Sequence, residues 1–184
     1  QQQNYYPENV MVGSGFMDAD AASQAYMGAL GCPLAGSKPC NFEDAFGLSS
    51  INAQEPRFKD AGQRVWNVGG GKGNAPFESV TVEWDYLNMV ASLIQGAGPN
   101  LNPTSMAAGA GRLGFRGDAN HVTRGFDPAN DNYAWNQDMR TVYWSPKTIS
   151  PYNAEAGSYI QIGSGRTSTS GWRRSELVLP PKPR

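Results

Sequence analysis

Charge, histidine and long apolar runs are scarce in this sequence of 184 residues. Charged residues make up 17%, and 15 basic side chains nearly balance 16 acidic ones, for a net charge of -1. Such a chain has no overall positive field to attract phosphates, so electrostatic binding of nucleic acid is not expected. Its longest apolar stretches fall short of the roughly 18 to 20 residues that a membrane span needs. We therefore expect no nucleic-acid partner and no membrane-spanning segment.

Groups for catalysis or metal binding are also few. His121 is the only histidine, and no Gly-x-Ser-x-Gly turn accompanies any serine, so a Ser-His-Asp triad would depend on this one residue. We interpret His121 as a solvated loop residue and expect no enzyme, with a hydrolase that uses His121 as the alternative. Calcium binds carboxylate oxygens, which are present in Asp127, Asp131 and Asp138. These three residues lack the spacing and the central glycine of a dedicated calcium-binding loop. No metal and no cofactor are expected.

Glycine and proline are abundant instead. The 22 glycines and 13 prolines disfavour long helical bundles and coiled coils, since both residues break helices. Aromatic residues make up 11% of the chain and include five tryptophans, which supply more apolar surface than a disordered chain carries. We expect a folded chain rich in loops.

The two cysteines enclose a short segment rich in turn residues. Cys32 and Cys40 flank the sequence Pro-Leu-Ala-Gly-Ser-Lys-Pro, which favours a disulfide between them. A loop of this length would stabilise the fold by roughly 2.5 kcal/mol in the chain-entropy model. Two free thiols remain an alternative, whereas a zinc site lacks closely spaced ligands. A bridge would imply an oxidising compartment, that is, the periplasm or the extracellular space, with tethering to the cell envelope left open.

Helices and strands are predicted to alternate in the first half of the chain, and strands dominate the second. The strongest helix is expected between Phe77 and Gln95, where apolar residues recur every three or four positions. The other predictions are strands at 9–13, 45–51, 135–144 and 158–162, helices from Asp18 or Asp20 to Gly31 and from Pro103 to Ala108, and a flexible loop at 66–76.

Two glycine patterns suggest nucleotide binding, but their context does not support it. Gly109, Gly111 and Gly114 match Gly-x-Gly-x-x-Gly, yet a predicted helix precedes them where a dinucleotide site needs a strand. In the run Gly69–Gly73, no serine or threonine follows Lys72, as a phosphate loop would require. We interpret both patterns as structural.

The order of these segments resembles the C-terminal half of a type I periplasmic-binding-protein fold. The resemblance is to the branched-chain amino acid (Leu/Ile/Val) substrate-binding proteins of ABC transporters, and it covers residues 8–165. The segments that carry it are Val10–Gly15 with Asp18, Ala45–Ile51 ending near Pro56, and the helix Val82–Gln95 with Tyr86, followed by Ala97, Gly98, Leu101 and Asn102–Met106.

This resemblance implies an α/β fold, part of a two-lobed, three-layer α/β/α receptor with a β-rich C-terminal portion. Residues 1–165 would form half of a solute-binding domain, and 166–184 an Arg- and Pro-bearing tail. Binding crevices of such sheets lie at the loops that follow strands, which points to Ser14, Gly15, Phe16 and Asp18 as ligand-binding residues. Phe16 would pack on an apolar part of the ligand or, alternatively, belong to the core, and Ser14 or a backbone N–H group would bind a carboxylate. Asp18 would accept from an ammonium or, alternatively, cap the helix.

The resemblance also implies a function in transport. We expect an extracytoplasmic protein, or a fragment of one, that captures a small amino-acid-like or other polar solute and delivers it to the permease of an ABC-type importer. The alternative is an accessory or structural subunit derived from such a receptor, which docks on a larger membrane-associated complex through exposed aromatic residues and the tail Trp172–Arg184.

Overall fold

The computed structural model of the chain describes residues 10–12, 18–29, 45–76 and 79–169. Its strands are β1 (Val10–Val12), β2 (Ala45–Ser49), β3 (Asp138–Ile149) and β4 (Ala156–Ser168). Its helices are α1 (Asp20–Ala29), α2 (Ala61–Val68), α3 (Ser79–Ala97) and α4 (Pro103–Arg112). No helix among the described residues is long and apolar enough to cross a membrane.

The four strands form one sheet in the order β1-β2-β3-β4. Strands β1 and β2 run parallel, with Val10 opposite Ala45. Strand β3 is antiparallel to β2, and β4 is antiparallel to β3. The chain is therefore a mixed α/β protein, as the sequence predicts at this coarse level.

Strand β3 carries the core of the sheet on alternate residues. Asp138, Arg140, Val142 and Trp144 are buried, and the residues between them are partly exposed. The ring of Trp144 meets that of Tyr159 on β4 edge to face, with the centroids 5.0 Å apart. The strand was expected to end at Ser145 and Pro146, but it continues to Ile149. Its pairing with β4 is irregular between Ser145 and Ile149, where Pro146 has no N–H to donate.

Helix α1 packs on β4 through buried polar contacts. Oδ2 of Asp20 accepts from the hydroxyls of Ser150 and Ser158, each at 2.7 Å, and Oδ1 accepts from the backbone N–H of Tyr159 at 2.8 Å. Gln24 donates to the carbonyl of Gly157 at 2.8 Å. Asp20 therefore joins α1 to two segments more than a hundred residues away.

Helices α2, α3 and α4 pack on one another, and among the described elements none of them packs directly on a strand. Asp60 caps α2 by accepting from the N–H of Gln63, and the Thr81 hydroxyl of α3 also donates to it. Asn102 and Ser105 form a capping box at the start of α4, which confirms the helix start predicted at Pro103. These three helices form a helical layer, in which α3 packs on both α2 and α4.

Three sequence predictions change in detail. Trp66, expected in the glycine loop, lies in α2, because the Asp60 cap starts a helix that continues to Val68. The pattern Gly109, Gly111 and Gly114 allows α3 and α4 to pack closely, because a Cβ on Gly109 would lie 2.5 Å from the carbonyl carbon of Gly96 on α3. Strand β4 runs to Ser168, so the expected boundary after residue 165 falls inside a strand. The remainder of the expected tail, from residue 170, lies outside the described residues.

Candidate functional site

A cavity of about 610 Å³ lies between the sheet and the helical layer. The loop that follows β2 forms one wall with Ile51–Glu55, and α2 and α3 form another with Arg64, Thr81 and Asp85. His121 and Arg124, from the long segment between α4 and β3, complete the wall.

The position of the cavity follows from the direction of the strands. Strands β1 and β2 run parallel, so both end at the same edge of the sheet. Ala19, which precedes α1, and the residues after β2 line the cavity at this edge. It is the edge at which open α/β sheets bind ligands, and the edge at which the sequence places the candidate ligand-binding loop.

Of the four predicted ligand-binding residues, only Asp18 can be placed. Its side chain is fully buried, with an exposed fraction of 0%, and neither carboxylate oxygen has a hydrogen-bond partner among the described residues. The alternative role as a helix cap therefore receives no support from its contacts. Ser14, Gly15 and Phe16 lie outside the described residues, as do Cys32 and Cys40 and with them the predicted disulfide.

Two buried arginines hold the loop that follows β2. Arg140 donates from Nη2 to the carbonyl of Asn52 at 3.1 Å, and Arg166 donates from Nη1 to that of Ile51, also at 3.1 Å. Arg166 also forms an ion pair with Asp138, with 2.5 Å between Nε and Oδ1. Burial lowers the pKa of Arg140 to about 10, and Arg166 nearby adds to this effect, while Asp18 opposes it.

This cluster contains polar atoms that nothing in the described structure satisfies. Nε of Arg140 and Nη2 of Arg166 are buried donors without an acceptor, and the two oxygens of Asp18 are buried acceptors without a donor. Buried polar groups normally find partners. Buried donors and acceptors without partners, when they lie close to a cavity, are typical of a site that binds a polar ligand or ordered water.

A second ion pair connects the helical layer to the segment between α4 and β3. Nη2 of Arg124 lies 2.5 Å from Oδ2 of Asp85 on α3. Desolvation raises the pKa of Asp85 and lowers the pKa of Arg124, because burial disfavours the charged form of each. Each partner therefore compensates for the burial of the other.

His121 lies between two carboxylates at the rim of the cavity. Its Nε2 is 2.7 Å from Oε1 of Glu55, and its Nδ1 is 2.8 Å from Oδ2 of Asp118. The hydrogen bond with Asp118 raises the pKa of His121, and the contact with Glu55 raises it further. The same histidine contact holds the pKa of Asp118 down at about 2. His121 was interpreted as a solvated loop residue, but it forms ion-pair contacts with two segments.

The wall also carries two cations outside the ion pairs of the described residues, beside the acids Glu55, Asp60 and Asp85. Lys59 and Arg64 line the cavity and form no ion pair with any described residue. The Phe58 ring beside them is 73% exposed. The wall thus offers two cations and an apolar ring to a bound molecule.

Sequence reasoning missed most of this site. Asp138 and Arg140 are in phase with Val142 and Trp144 along β3, and this two-residue period is a signal that could have identified them as buried. No comparable pattern in the sequence indicates that Glu55 and Asp85 contact the segment after α4. Trp66 and the loop Gly69–Gly73, second candidates for a rim or hinge, do not line the cavity.

Asp127, Asp131 and Asp138 do not form a metal site. Asp138 forms an ion pair with Arg166, and Asp131 ends a short turn in a left-handed conformation. The described residues contain no group of three or more His, Cys, Asp or Glu side chains arranged to hold a metal ion.

Comparisons with protein-family models, with curated protein sequences and with solved structures found no match for this chain.

Proposed function

We propose that this chain is a solute-binding protein, or part of one, that captures a small solute bearing a carboxylate and an ammonium group. The observation that carries the proposal is the cavity at the carboxyl edge of β1 and β2, with the unpaired cations Lys59 and Arg64 on its wall. Its volume of about 610 Å³ falls within the range of roughly 300 to 1,000 Å³ that small-molecule sites occupy.

The charges on the wall favour a carboxylate. Asp85 neutralises Arg124, whereas Lys59 and Arg64 have no acidic partner among the described residues. Arginine and lysine both bind carboxylates through charge-assisted hydrogen bonds, which are about twice as strong as neutral ones. An anionic group of the solute therefore binds at this wall.

Asp18 supplies the opposite charge. A fully buried carboxylate without a hydrogen bond is costly to keep ionised, and a fold does not benefit from such a group unless something pairs with it. Asp18 is one residue from Ala19, which lines the cavity. The ammonium of an amino-acid-like solute pairs with Asp18 after a local rearrangement, while the exposed Phe58 ring packs on the apolar part of the solute.

The biological role rests on the sequence resemblance. The two-lobed type I periplasmic-binding fold, the periplasmic or extracellular location and delivery to an ABC permease belong to the proposal and not to the described structure. The position of the cavity supports them, because receptors of the resembled family bind their solutes at the loops that follow strands.

A thermal-shift screen with the full chain tests the proposal. The panel contains the twenty L-amino acids, succinate as a solute with carboxylates only, putrescine as a solute with amines only, and glucose as an uncharged one. At a concentration one hundred times Kd, a bound solute stabilises by about 2.7 kcal/mol, which raises Tm by about 5–10 °C. Amino acids should produce the largest shifts.

Variants then assign the binding to the cavity. Arg64→Gln and Lys59→Gln should each weaken binding about tenfold, since each removes one charge-assisted contact worth about 1.5 kcal/mol. The matched control is Lys147→Gln, at an exposed position of β3 that does not line the cavity. If Lys147→Gln weakens binding as much as Arg64→Gln does, the solute binds elsewhere.

A docking role is the second candidate, and one surface favours it. Tyr86, Leu87, Val90 and Ile94 of α3 are 44–62% exposed and recur every three or four residues along one side of the helix. Exposed apolar patches on soluble proteins commonly mark sites of contact with other proteins. The accessory-subunit alternative would place this patch against a larger assembly.

Size-exclusion chromatography with light scattering separates the two roles. A discrete large complex in native material, lost in Val90→Glu, would support docking. A monomer that responds to amino acids, with Val90→Glu unchanged in binding, would support solute capture.

A further inference from the structure

The contacts of His121 impose a requirement on its protonation. A neutral imidazole carries one N–H, so only one of its two nitrogens can donate. Both nitrogens of His121 lie 2.7–2.9 Å from carboxylate oxygens, Nε2 from Glu55 and Nδ1 from Asp118. Only the protonated ring can donate on both sides. After deprotonation, one nitrogen lone pair would face a carboxylate at the same distance.

The two carboxylates differ in what else holds them. Asp118 also accepts hydrogen bonds from the backbone N–H groups of Asn120 and His121, at 2.8 and 2.9 Å, so it keeps partners in its own turn without the ring. The Glu55 side chain has no other hydrogen bond or ion pair among the described residues. A neutral ring can donate to only one of the two carboxylates, and Glu55 is the one that has no other donor among the described residues.

Loss of the ring proton would make the wall of the cavity one charge more negative, while the backbone contacts around it remain. Ala53 donates to the carbonyl of Asn120 at 2.7 Å, and Val122 donates to Oδ1 of Asn52 at 3.0 Å, so the two loops stay joined. Glu55 and His121 both line the cavity. The other charged groups on its wall are Lys59, Asp60, Arg64, Asp85 and Arg124. Asp85 and Arg124 pair with each other, and Asp60 is engaged as the cap of α2.

We propose that His121 determines the charge preference of the cavity: the protonated ring balances the charge of Glu55 and favours anionic solutes, and loss of its proton leaves the charge of Glu55 unbalanced and disfavours them. This inference rests on the proposed solute-binding function. The affinity of the cavity for anionic solutes would then fall as pH rises through neutrality, the range in which histidine titrates.

The first measurement does not involve a solute. His121 is the only histidine, so its ring gives a single set of Cε1–Hε1 signals in a two-dimensional NMR titration. Glu55→Gln and Asp118→Asn should each lower the pKa of His121, with the larger change in Asp118→Asn. Asp131→Asn, at an exposed position away from the cavity, should leave it unchanged. Equal pKa values in all four proteins would overturn the proposal, because the ring would then not be coupled to Glu55.

The second measurement uses calorimetry with succinate and putrescine as probes between pH 6.5 and 8.5, where the charge of each probe is nearly constant. Across the titration of His121, the affinity for succinate should fall and that for putrescine should rise, each by about three- to tenfold, the effect of one partly screened charge. In His121→Gln both affinities should become independent of pH, whereas in Glu55→Gln their pH dependence should move to lower pH together with the pKa of the ring. In Asp131→Asn the pH dependence should match that of the unchanged protein.

The outcomes separate this inference from the function on which it rests. Succinate binding that is independent of pH, or that keeps its pH dependence in His121→Gln, overturns the role of His121 and leaves solute binding intact. If neither probe nor any amino acid binds at any pH, the proposed function fails, and the charge preference fails with it even if the NMR titration shows the coupling.

Discussion

Arg166 and Asp138 form a buried ion pair where the end of β4 meets the start of β3, with 2.5 Å between Nε and Oδ1. Only 4% of the arginine side chain and 11% of the aspartate side chain are exposed. Asp138 also accepts from the backbone N–H of Thr123 at 3.0 Å, and Arg166 donates to the carbonyl of Ile51. The pair thus connects the sheet to both segments that form the wall of the cavity.

Removal of the acid should be costly. We expect Asp138→Asn to lower the free energy of unfolding by about 3 kcal/mol, because it leaves a buried guanidinium without its counter-charge. Urea denaturation followed by tryptophan fluorescence measures the change. The matched control is Asp131→Asn, which is exposed and in a left-handed conformation that asparagine tolerates. An equal effect in the two variants would mean that the ion pair does not stabilise the fold.

The close approach of α3 and α4 gives a prediction with a built-in control. A Cβ on Gly109 would lie 2.5 Å from the carbonyl carbon of Gly96 and 2.6 Å from the nitrogen of Ala97, whereas on Gly111 it would meet Pro128 at an ordinary 3.6 Å. Alanine is favoured over glycine in a helix by about 1 kcal/mol. Gly111→Ala should therefore raise the free energy of unfolding by up to about 1 kcal/mol.

Gly109→Ala should have the opposite effect, a loss of about 2 kcal/mol, because backbone atoms must move to admit the methyl group. Thermal unfolding of both variants, followed by circular dichroism, compares them directly. Stabilisation by both substitutions would show that α3 and α4 are not in close contact at Gly96.

The parts of the fold that local sequence determines were predictable, and those that depend on distant contacts were not. Helix α3 follows from its apolar period, and the start of α4 follows from Pro103 at a first-turn position. Trp66 was assigned to a loop because the neighbouring glycines outweighed the cap at Asp60. The partner of Asp85 lies 39 residues away in Arg124, and no local pattern encodes such a contact.

The same distinction applies to the candidate site. The two strands β1 and β2 were expected, and so was a ligand site at the loops that follow strands, but their parallel pairing was not. The pairing of His121 with Glu55, 66 residues apart, requires the segment after α4 to return to the loop after β2. A single histidine in a polar segment looks solvated until that return is known, so the sequence alone could not identify its role.

The Asp20 carboxylate should make stability depend on pH in the acid range. Burial raises its folded-state pKa above the ordinary value of 3.8, although hydrogen bonds from Tyr159, Ser150 and Ser158 oppose the shift. The folded protein therefore holds this proton more tightly than the unfolded chain does. Its contribution to stability is greatest below pH 3.8 and declines as pH rises through the folded-state pKa.

In Asp20→Asn this titration is absent. The free energy of unfolding of the unchanged protein, relative to that of the variant, should fall as pH rises from 3.8 and level off above the folded-state pKa. Asp20→Ala should lose about 2–4 kcal/mol at neutral pH, since three buried hydrogen bonds disappear. Glu83→Gln, on the exposed side of α3, is the control. If the free energy of unfolding of the unchanged protein, minus that of Asp20→Asn, rises with pH, the assignment is wrong.

Asp18 offers a test that separates binding from stability. Its carboxylate is fully buried and neither oxygen accepts a hydrogen bond from a described residue. Asp18→Asn therefore breaks no hydrogen bond in the described part of the chain, but it removes the longer-range attraction of the carboxylate to Arg140. Burial of a carboxylate that has no hydrogen bond costs free energy, and its replacement removes that cost. The free energy of unfolding should therefore stay constant or rise by about 1 kcal/mol, as is common when a residue retained for function is replaced.

Binding should change in the other direction if Asp18 receives the ammonium of the solute. In Asp18→Asn the thermal shift with amino acids should disappear, while that with succinate, which has no ammonium, should remain. Glu155→Gln, an exposed acid outside the cavity, should keep both. A loss of stability above about 2 kcal/mol with amino-acid binding intact would assign Asp18 to the fold, because only a structural partner of the carboxylate could produce a penalty of that size.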